Sequence, residues 1–338
     1  MCALPHLYAA LMVFSCVASV SGNLLQLLLQ LLHKNLRSDT LILMLSCCFS
    51  DITLSLSVFP LAVYHAVSHP PGPPPSDGVL CQGGGFLLLL LQTSSLYSLF
   101  WTSVDTFVDI CFALSYSMIV TPGRCHLVLL MMWSGCLGGA ALPLMGFGHY
   151  TYREDRYLCG PDFSPAHTAF VMLWLVGMFV PLVAMVSLYS HVVIVARKQA
   201  RRGTFVCNEI NCHYVPANIY LRSSIAMLST SVCVLVCWLP YMTVCVYETF
   251  SGHQSPSVIS ALSTWLVLSS TALKPWITCL TQSRYRAVVR LSLLRCVQVC
   301  VGEEQQESRP QLEAANRIST TTTTTTRPPS SPTTPVPQ

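Results

Sequence analysis

The sequence predicts an all-α protein, a seven-transmembrane helix bundle followed by a short amphipathic eighth helix. Three observations lead there. Only 9% of the 338 residues are charged and 52% are hydrophobic, whereas a soluble domain carries about 25% charged residues. The mean hydropathy is +0.55. The charges cluster in short stretches, and the apolar runs between them reach the ~20 residues that span a bilayer.

Seven such runs lie at roughly 7–32, 40–66, 79–112, 125–147, 165–196, 218–250 and 257–281. The first lacks a basic leading region and is longer than the apolar core of a signal peptide, so it reads as a spanning helix. Residues 1–6 are then a short extracellular N-terminus, and 7–282 the seven-helix domain. The stretch HPPGPPPSDG at 69–78 is a stiff polar turn, and 197–217 a short basic loop. Residues 283–302 place arginines on one side of a helix and Val, Leu and Cys on the other, the pattern of a helix lying on the inner leaflet. Cys296 and Cys300 there are palmitoylation candidates or unmodified thiols. Residues 303–338 have low complexity, cannot bury enough apolar area to fold, and read as a disordered cytosolic tail.

Lys and Arg orient the chain. With the N-terminus outside, twelve of them fall on the cytosolic side of the helices, and only Arg153 and Arg156 on the extracellular loops. That bias places the N-terminus outside and the C-terminus inside. The seventeen cysteines lie mostly in apolar segments, where a cysteine is usually a small buried hydrophobe. One feature stands against the apolar background: Lys274-Pro275 interrupts the seventh segment.

Several residues at mutually consistent spacings resemble the rhodopsin-like class of G-protein-coupled receptors. They are Gly22-Asn23 in the first segment, Asp51 in the second, Cys81 at the start of the third and Trp133 in the fourth. Pro181 with Tyr189 marks the fifth, Cys237-Trp238-Leu239-Pro240 the sixth, and Pro275 with Tyr285 the seventh and the surface helix. The resemblance covers roughly residues 7–300 and points to no particular subfamily, so the chain reads as an orphan. It implies a plasma-membrane receptor passing an extracellular signal to heterotrimeric G protein, arrestin or both. It also implies a disulfide between Cys81 and Cys159, both on the oxidising side.

Two departures matter. Where the family carries Asp-Arg-Tyr at the end of the third helix, this chain has Asp105-Thr106-Phe107. Where it carries Asn-Pro-x-x-Tyr, this chain has Lys274-Pro275-Trp276-Ile277-Thr278. In the family the seventh-helix asparagine faces a pocket made with the positions of Asp51 and Ser95, often holding sodium. The resemblance therefore implies that the Lys274 ammonium stands in for that ion and pairs with Asp51. The bland alternative is that Lys274 bonds only backbone carbonyls and hydroxyls such as Ser270. A retinal Schiff base is disfavoured, because the opsin lysine would fall at Leu268. Pro275 kinks its helix by freeing a backbone carbonyl. Thr106 cannot play the arginine's part, though its hydroxyl can bond the carbonyl four residues back. Asp105 then needs other partners, and Arg37 or Arg222 are candidates.

By the same resemblance, Leu88, Gln92, Trp174, Trp238, Tyr241 and Trp265 face the ligand cavity, or are simply helix packing. Trp238 would lie under the ligand, and the sixth helix would swing about the Pro240 kink. Leu88 replaces the aspartate of amine receptors, so a neutral or lipid-like ligand is expected. Glu248 and His253 near the mouth read as solvated, or as tuning charge there. The run Thr320–Thr326 is a phospho-acceptor for arrestin or a repeat-expanded disordered stretch.

Other classes are disfavoured. Cys207, Cys212 and His213 have poor spacing for zinc and no clear fourth ligand, so no metal or other cofactor is implied. There is no enzyme motif, no sequon for N-glycosylation, and nothing pointing to nucleic acid. A transporter or channel lacks its repeat and its ring of pore charges. A non-signalling decoy or heteromerisation partner remains the rival, since Thr106, Lys274 and Thr278 all alter the activation machinery.

Overall fold

The computed structural model describes residues 3–32, 41–68, 78–112, 115–202, 205–208, 211–214 and 218–281, together with 286 and 290. The chain divides after Arg286, and the helical domain lies in the part before it. The expected tail at 303–338, the lipidation candidates Cys296 and Cys300, Tyr285, and most of the surface helix at 283–302 lie outside the described residues.

Eight α-helices occur among the described residues: α1 (Ala3–Leu32), α2 (Leu41–Ser68), α3 (Val79–Cys111), the single turn α4 (Tyr116–Ile119), α5 (Pro122–Ala141), α6 (Thr168–Arg202), α7 (Asn218–Ser251) and α8 (Ser257–Thr281). The seven long ones match the seven apolar segments. Five of them (α1, α2, α3, α6 and α7) are long and apolar enough to cross a membrane. Neighbouring helices close a ring: α1 packs on α2 and α8, α6 on α7, and α7 on α8, while α3 touches α2, α5 and α6. Large apolar side chains such as Phe14, Leu56, Leu130, Leu173 and Leu280 point outward, as a bilayer-facing surface requires.

Two helix ends differ from the hydropathy reading. Helix α1 starts at Ala3, so part of the expected N-terminal tail is helical. Helix α5 runs Pro122–Ala141, displaced toward the N-terminus from 125–147. Local chemistry outweighs hydropathy there. Thr121 caps the helix by accepting from the Arg124 N–H, Pro122 sits at the first position, and Pro143 with Gly146 (φ 92°) stops it.

Two antiparallel hairpins join the helical frame. Strand β1 (Tyr150–Arg153) pairs with β2 (Leu158–Pro161), with Tyr150 opposite Pro161 and Arg153 opposite Leu158. Strand β3 (Phe205–Asn208) pairs with β4 (Asn211–Tyr214). The first hairpin lies on α3: Cys81 is disulfide-bonded to Cys159. Gly85 lets it approach, because a Cβ there would sit 2.6 Å from the Tyr150 ring.

Prolines interrupt α2, α6, α7 and α8. Each removes the N–H that would serve the carbonyl four residues earlier, and two of the freed carbonyls find donors on another helix. Pro181 frees Gly177, whose oxygen accepts from Tyr97 Oη at 2.9 Å. Pro275 frees Thr271, whose oxygen accepts from Asn23 Nδ2 at 3.1 Å.

Candidate functional site

The centre of the bundle is built around α8. Gly22 lets α1 press against the Pro275 kink, since a Cβ there would meet Pro275 and Trp276 atoms at 2.9 Å. The Trp276 indole donates to the Ala18 carbonyl at 2.8 Å. This contact, with the Asn23 bond, holds the α8 kink against α1. One residue before the proline, Lys274 is buried, 8% exposed, and Asp51 on α2 is 0% exposed.

Lys274 Nζ lies 2.8 Å from Asp51 Oδ2 and 2.9 Å from Oδ1. It also donates to Ser95 Oγ, which in turn donates to Asp51 Oδ1 at 2.6 Å. The Cys47 thiol lies 3.9 Å from Asp51 Oδ2 and 4.0 Å from the ammonium. Both carboxylate oxygens are therefore engaged by the chain's own cation. These residues do not fit a sodium ion, because a second cation would have to displace the ammonium. Serines continue the polar seam: Ser50 meets Ser94 at 2.8 Å, Ser98 meets Ser46 at 3.0 Å, and the Trp133 indole donates to Ser46 at 2.9 Å. Such interhelical bonds are the usual glue where lipid offers no hydrophobic drive.

A second cluster closes the hairpin end. The four residues 154–157 turn β1 into β2, with the Arg156 N–H on the Arg153 carbonyl at 3.1 Å and Tyr157 in the left-handed region at φ 54°. That turn sends the Arg156 side chain into the bundle, where it is 4% exposed. Its Nη2 donates to Glu248 Oε2 at 2.7 Å and its Nε to Ser260 Oγ at 2.9 Å. The guanidinium carbon lies 5.1 Å from the Phe163 ring centre and 5.4 Å from that of Tyr241. The other oxygen of Glu248 accepts from Arg153 at 3.0 Å and from the Ser255 N–H and hydroxyl at 3.2 and 3.0 Å. Arg153 also forks onto Asp155 at 2.9 and 3.0 Å. Two cations and two carboxylates thus balance. Burial raises the Asp155 pKa, but the bonds from Arg153 and Ser260 and the nearby guanidinium charges outweigh it and hold the carboxyl below its usual value. Burial pulls Arg156 down, and Tyr241, Cys245, Glu248 and Asp155 more than compensate.

The architecture has counterparts among known proteins. Residues 22–277 match the 7 transmembrane receptor (rhodopsin family). The chain belongs to this family. As a member it is a multi-pass membrane receptor rather than an enzyme. The receptor is similar to the histamine H2 receptor of Cavia porcellus, 24% identical over 275 residues, covering 79% of this chain and 74% of that one. The Homo sapiens histamine H2 receptor is 25% identical over 267 residues, covering 76% and 71%. The alpha-1A adrenergic receptor of Oryctolagus cuniculus is 23% identical over 312 residues, covering 82% and 66%. In three dimensions the receptor resembles squid rhodopsin, with a TM-score of 0.71 at 18% identity, over 89% of this chain and 88% of that one.

The receptor brings only some of the sequence-predicted cavity residues together. Gln92 and Trp238 line one small cavity of about 10 Å³ with Ser95, Ser270, Thr271 and Lys274. The Gln92 amide nitrogen has no hydrogen-bond partner among the described residues. Trp174 stacks edge-on with Tyr241 at 6.1 Å and also borders a groove of about 510 Å³ between α3, α5 and α6. Tyr241 lies under the Arg156 guanidinium. Leu88 is buried in the core. Trp265 is turned to α1, its indole donating to Ser15 at 3.1 Å.

At the other end of the bundle, the Thr106 hydroxyl donates to the Thr102 carbonyl at 2.9 Å, along its own helix. Asp105 accepts from Tyr116 Oη of α4 at 2.9 Å. Of the partners expected for Asp105, Arg37 lies outside the described residues, as does the Arg222 side chain. Tyr189 and Ser103 are buried beside Thr106. Pro240 lies inside α7.

Glu248 corrects the expectation of a solvated acid: it is 4% exposed and fully engaged, whereas His253 is exposed. Arg156, Phe163, Ser260 and Tyr116 were not legible as site residues. One signal was present for the first of them: the extracellular loops carry two arginines, and the sixth apolar segment carries one acid.

Proposed function

We propose that this receptor takes a small neutral or lipid-like ligand from its outer side, with its N-terminus outside the plasma membrane. It signals through heterotrimeric G protein or arrestin by a switch in which a fixed internal cation replaces a mobile one. The contact of Lys274 Nζ with both oxygens of Asp51, at 2.8 and 2.9 Å, carries this reading. Breaking the pair while α7 and α8 move would leave two unpaired charges in low dielectric. The pair therefore favours the arrangement in which it is intact, whatever the sodium concentration.

The test is thermal stability of the purified receptor in sodium chloride against N-methylglucamine chloride at equal ionic strength. Wild type should show no sodium-specific stabilisation, and Lys274→Asn should gain one. A sodium-specific shift in wild type would overturn the reading.

A second reading is a non-signalling decoy or heteromerisation partner. The bond from Thr106 to its own helix favours it, since the side chain there offers no charge to a transducer.

A further inference from the structure

The arginine on the hairpin turn occupies a site built almost entirely by other elements. We propose that Glu248, Ser260, Phe163 and Tyr241 form a cation-recognition site whose resident ligand is the chain's own Arg156. The same site would accept small guanidinium compounds once that side chain is removed.

The walls come from α7 (Tyr241, Glu248), α8 (Ser260) and the segment after β2 (Phe163), so they do not depend on the side chain they hold. Each wall suits a planar cation. Glu248 Oε2 takes one guanidinium nitrogen at 2.7 Å, and Ser260 Oγ takes a second at 2.9 Å. Two aromatic rings flank the central carbon at 5.1 and 5.4 Å, within reach of a cation–π attraction. A guanidinium meets these acceptors through donors fixed in one plane, which an ammonium lacks.

Glu248 is also held in place independently. Its Oε1 is bound by Arg153 and by the N–H and hydroxyl of Ser255. Truncating Arg156 therefore leaves Oε2 facing a gap the size of a guanidinium, inside a buried and partly aromatic wall. This site shares no residue with the Lys274–Asp51 pair and needs no coupling to a transducer.

The test is a thermal-shift titration of the purified full-length Arg156→Ala receptor with ethylguanidinium at millimolar concentration, using ethylurea as the neutral isostere. Arg156→Ala should melt below wild type and recover saturably with ethylguanidinium, but not with ethylurea. Wild type should not respond, and Arg156→Ala/Glu248→Gln should show no recovery. If Arg156→Ala does not fold unaided, it is expressed and purified with ethylguanidinium present throughout, and the folded yield should recover with ethylguanidinium but not with ethylurea. Absence of a guanidinium-specific, saturable shift overturns the proposal, as does a shift that survives Glu248→Gln.

Discussion

Lys274 and Asp51 each bring a charge into the bilayer core, and each is tolerated only because of the other. On insertion scales either one costs roughly 2.5–3.5 kcal/mol at a helix centre. Lys274→Met should therefore destabilise the receptor by about 3–5 kcal/mol, because Asp51 is left buried and unpaired. The double variant Asp51→Leu/Lys274→Met should recover most of that loss, since no buried charge remains. Thermal unfolding in a double-mutant cycle measures both, and a double variant no more stable than Lys274→Met would contradict the account. This pair was legible because a lysine inside an apolar run demands a partner, and the family resemblance supplied the position. Of the two readings open for Glu248, the solvated one fails, and for the opposite reason. It stands near the end of its segment, where solvent is the usual partner of a carboxylate, and its partner Arg156 is 92 residues away in the chain.

At the scale of elements, the long helices follow their apolar lengths, and the deviations follow caps and prolines. The hairpins did not show, because four-residue strands give too short a pattern, and Glu154-Asp155-Arg156-Tyr157 contains none of the glycine or asparagine that marks a tight turn. A tyrosine in the left-handed region costs of order 1–3 kcal/mol. Tyr157 persists there with its ring packed on Tyr8 at 5.2 Å, while the Tyr8 hydroxyl donates to the Arg156 carbonyl at 3.0 Å. The turn also has a pH dependence of known sign. The Asp155 pKa is depressed in the fold, so its stabilising contribution is complete above the unfolded value near 4. It is lost as pH falls through the depressed folded value. Protection factors of the β1 and β2 amides, with the intrinsic pH dependence of exchange divided out, should fall more between pH 5 and about 3 in wild type than in Asp155→Asn. An equal fall in both would show that Asp155 does not stabilise the turn.

Across the whole molecule, the seven helices could be read from apolar length and charge, and the Cys81–Cys159 disulfide was implied by the family resemblance. What occupies the interior could not, because that depends on side chains meeting from distant segments. Three departures from the family pattern (Thr106, Lys274 and Thr278) now have defined partners: two hydroxyls bond their own helices, and the lysine bonds Asp51. The receptor reading predicts measurable basal or ligand-induced G-protein activation in wild type. The decoy reading predicts that only Thr106→Arg/Lys274→Asn/Thr278→Tyr gains it. Nucleotide exchange measured side by side on the two proteins decides between them.

The position of Arg156, three residues from Cys159, has a consequence for anything that would compete with it. Cys159 is covalently fixed to α3, so the guanidinium is tethered by a short chain to the wall of its own site. A group held that way acts at an effective concentration of millimolar or more. A free cation of equal intrinsic affinity would need to exceed that level to displace it. The intact receptor should therefore be poorly responsive to dilute organic cations, even though the cage that recognises them is complete.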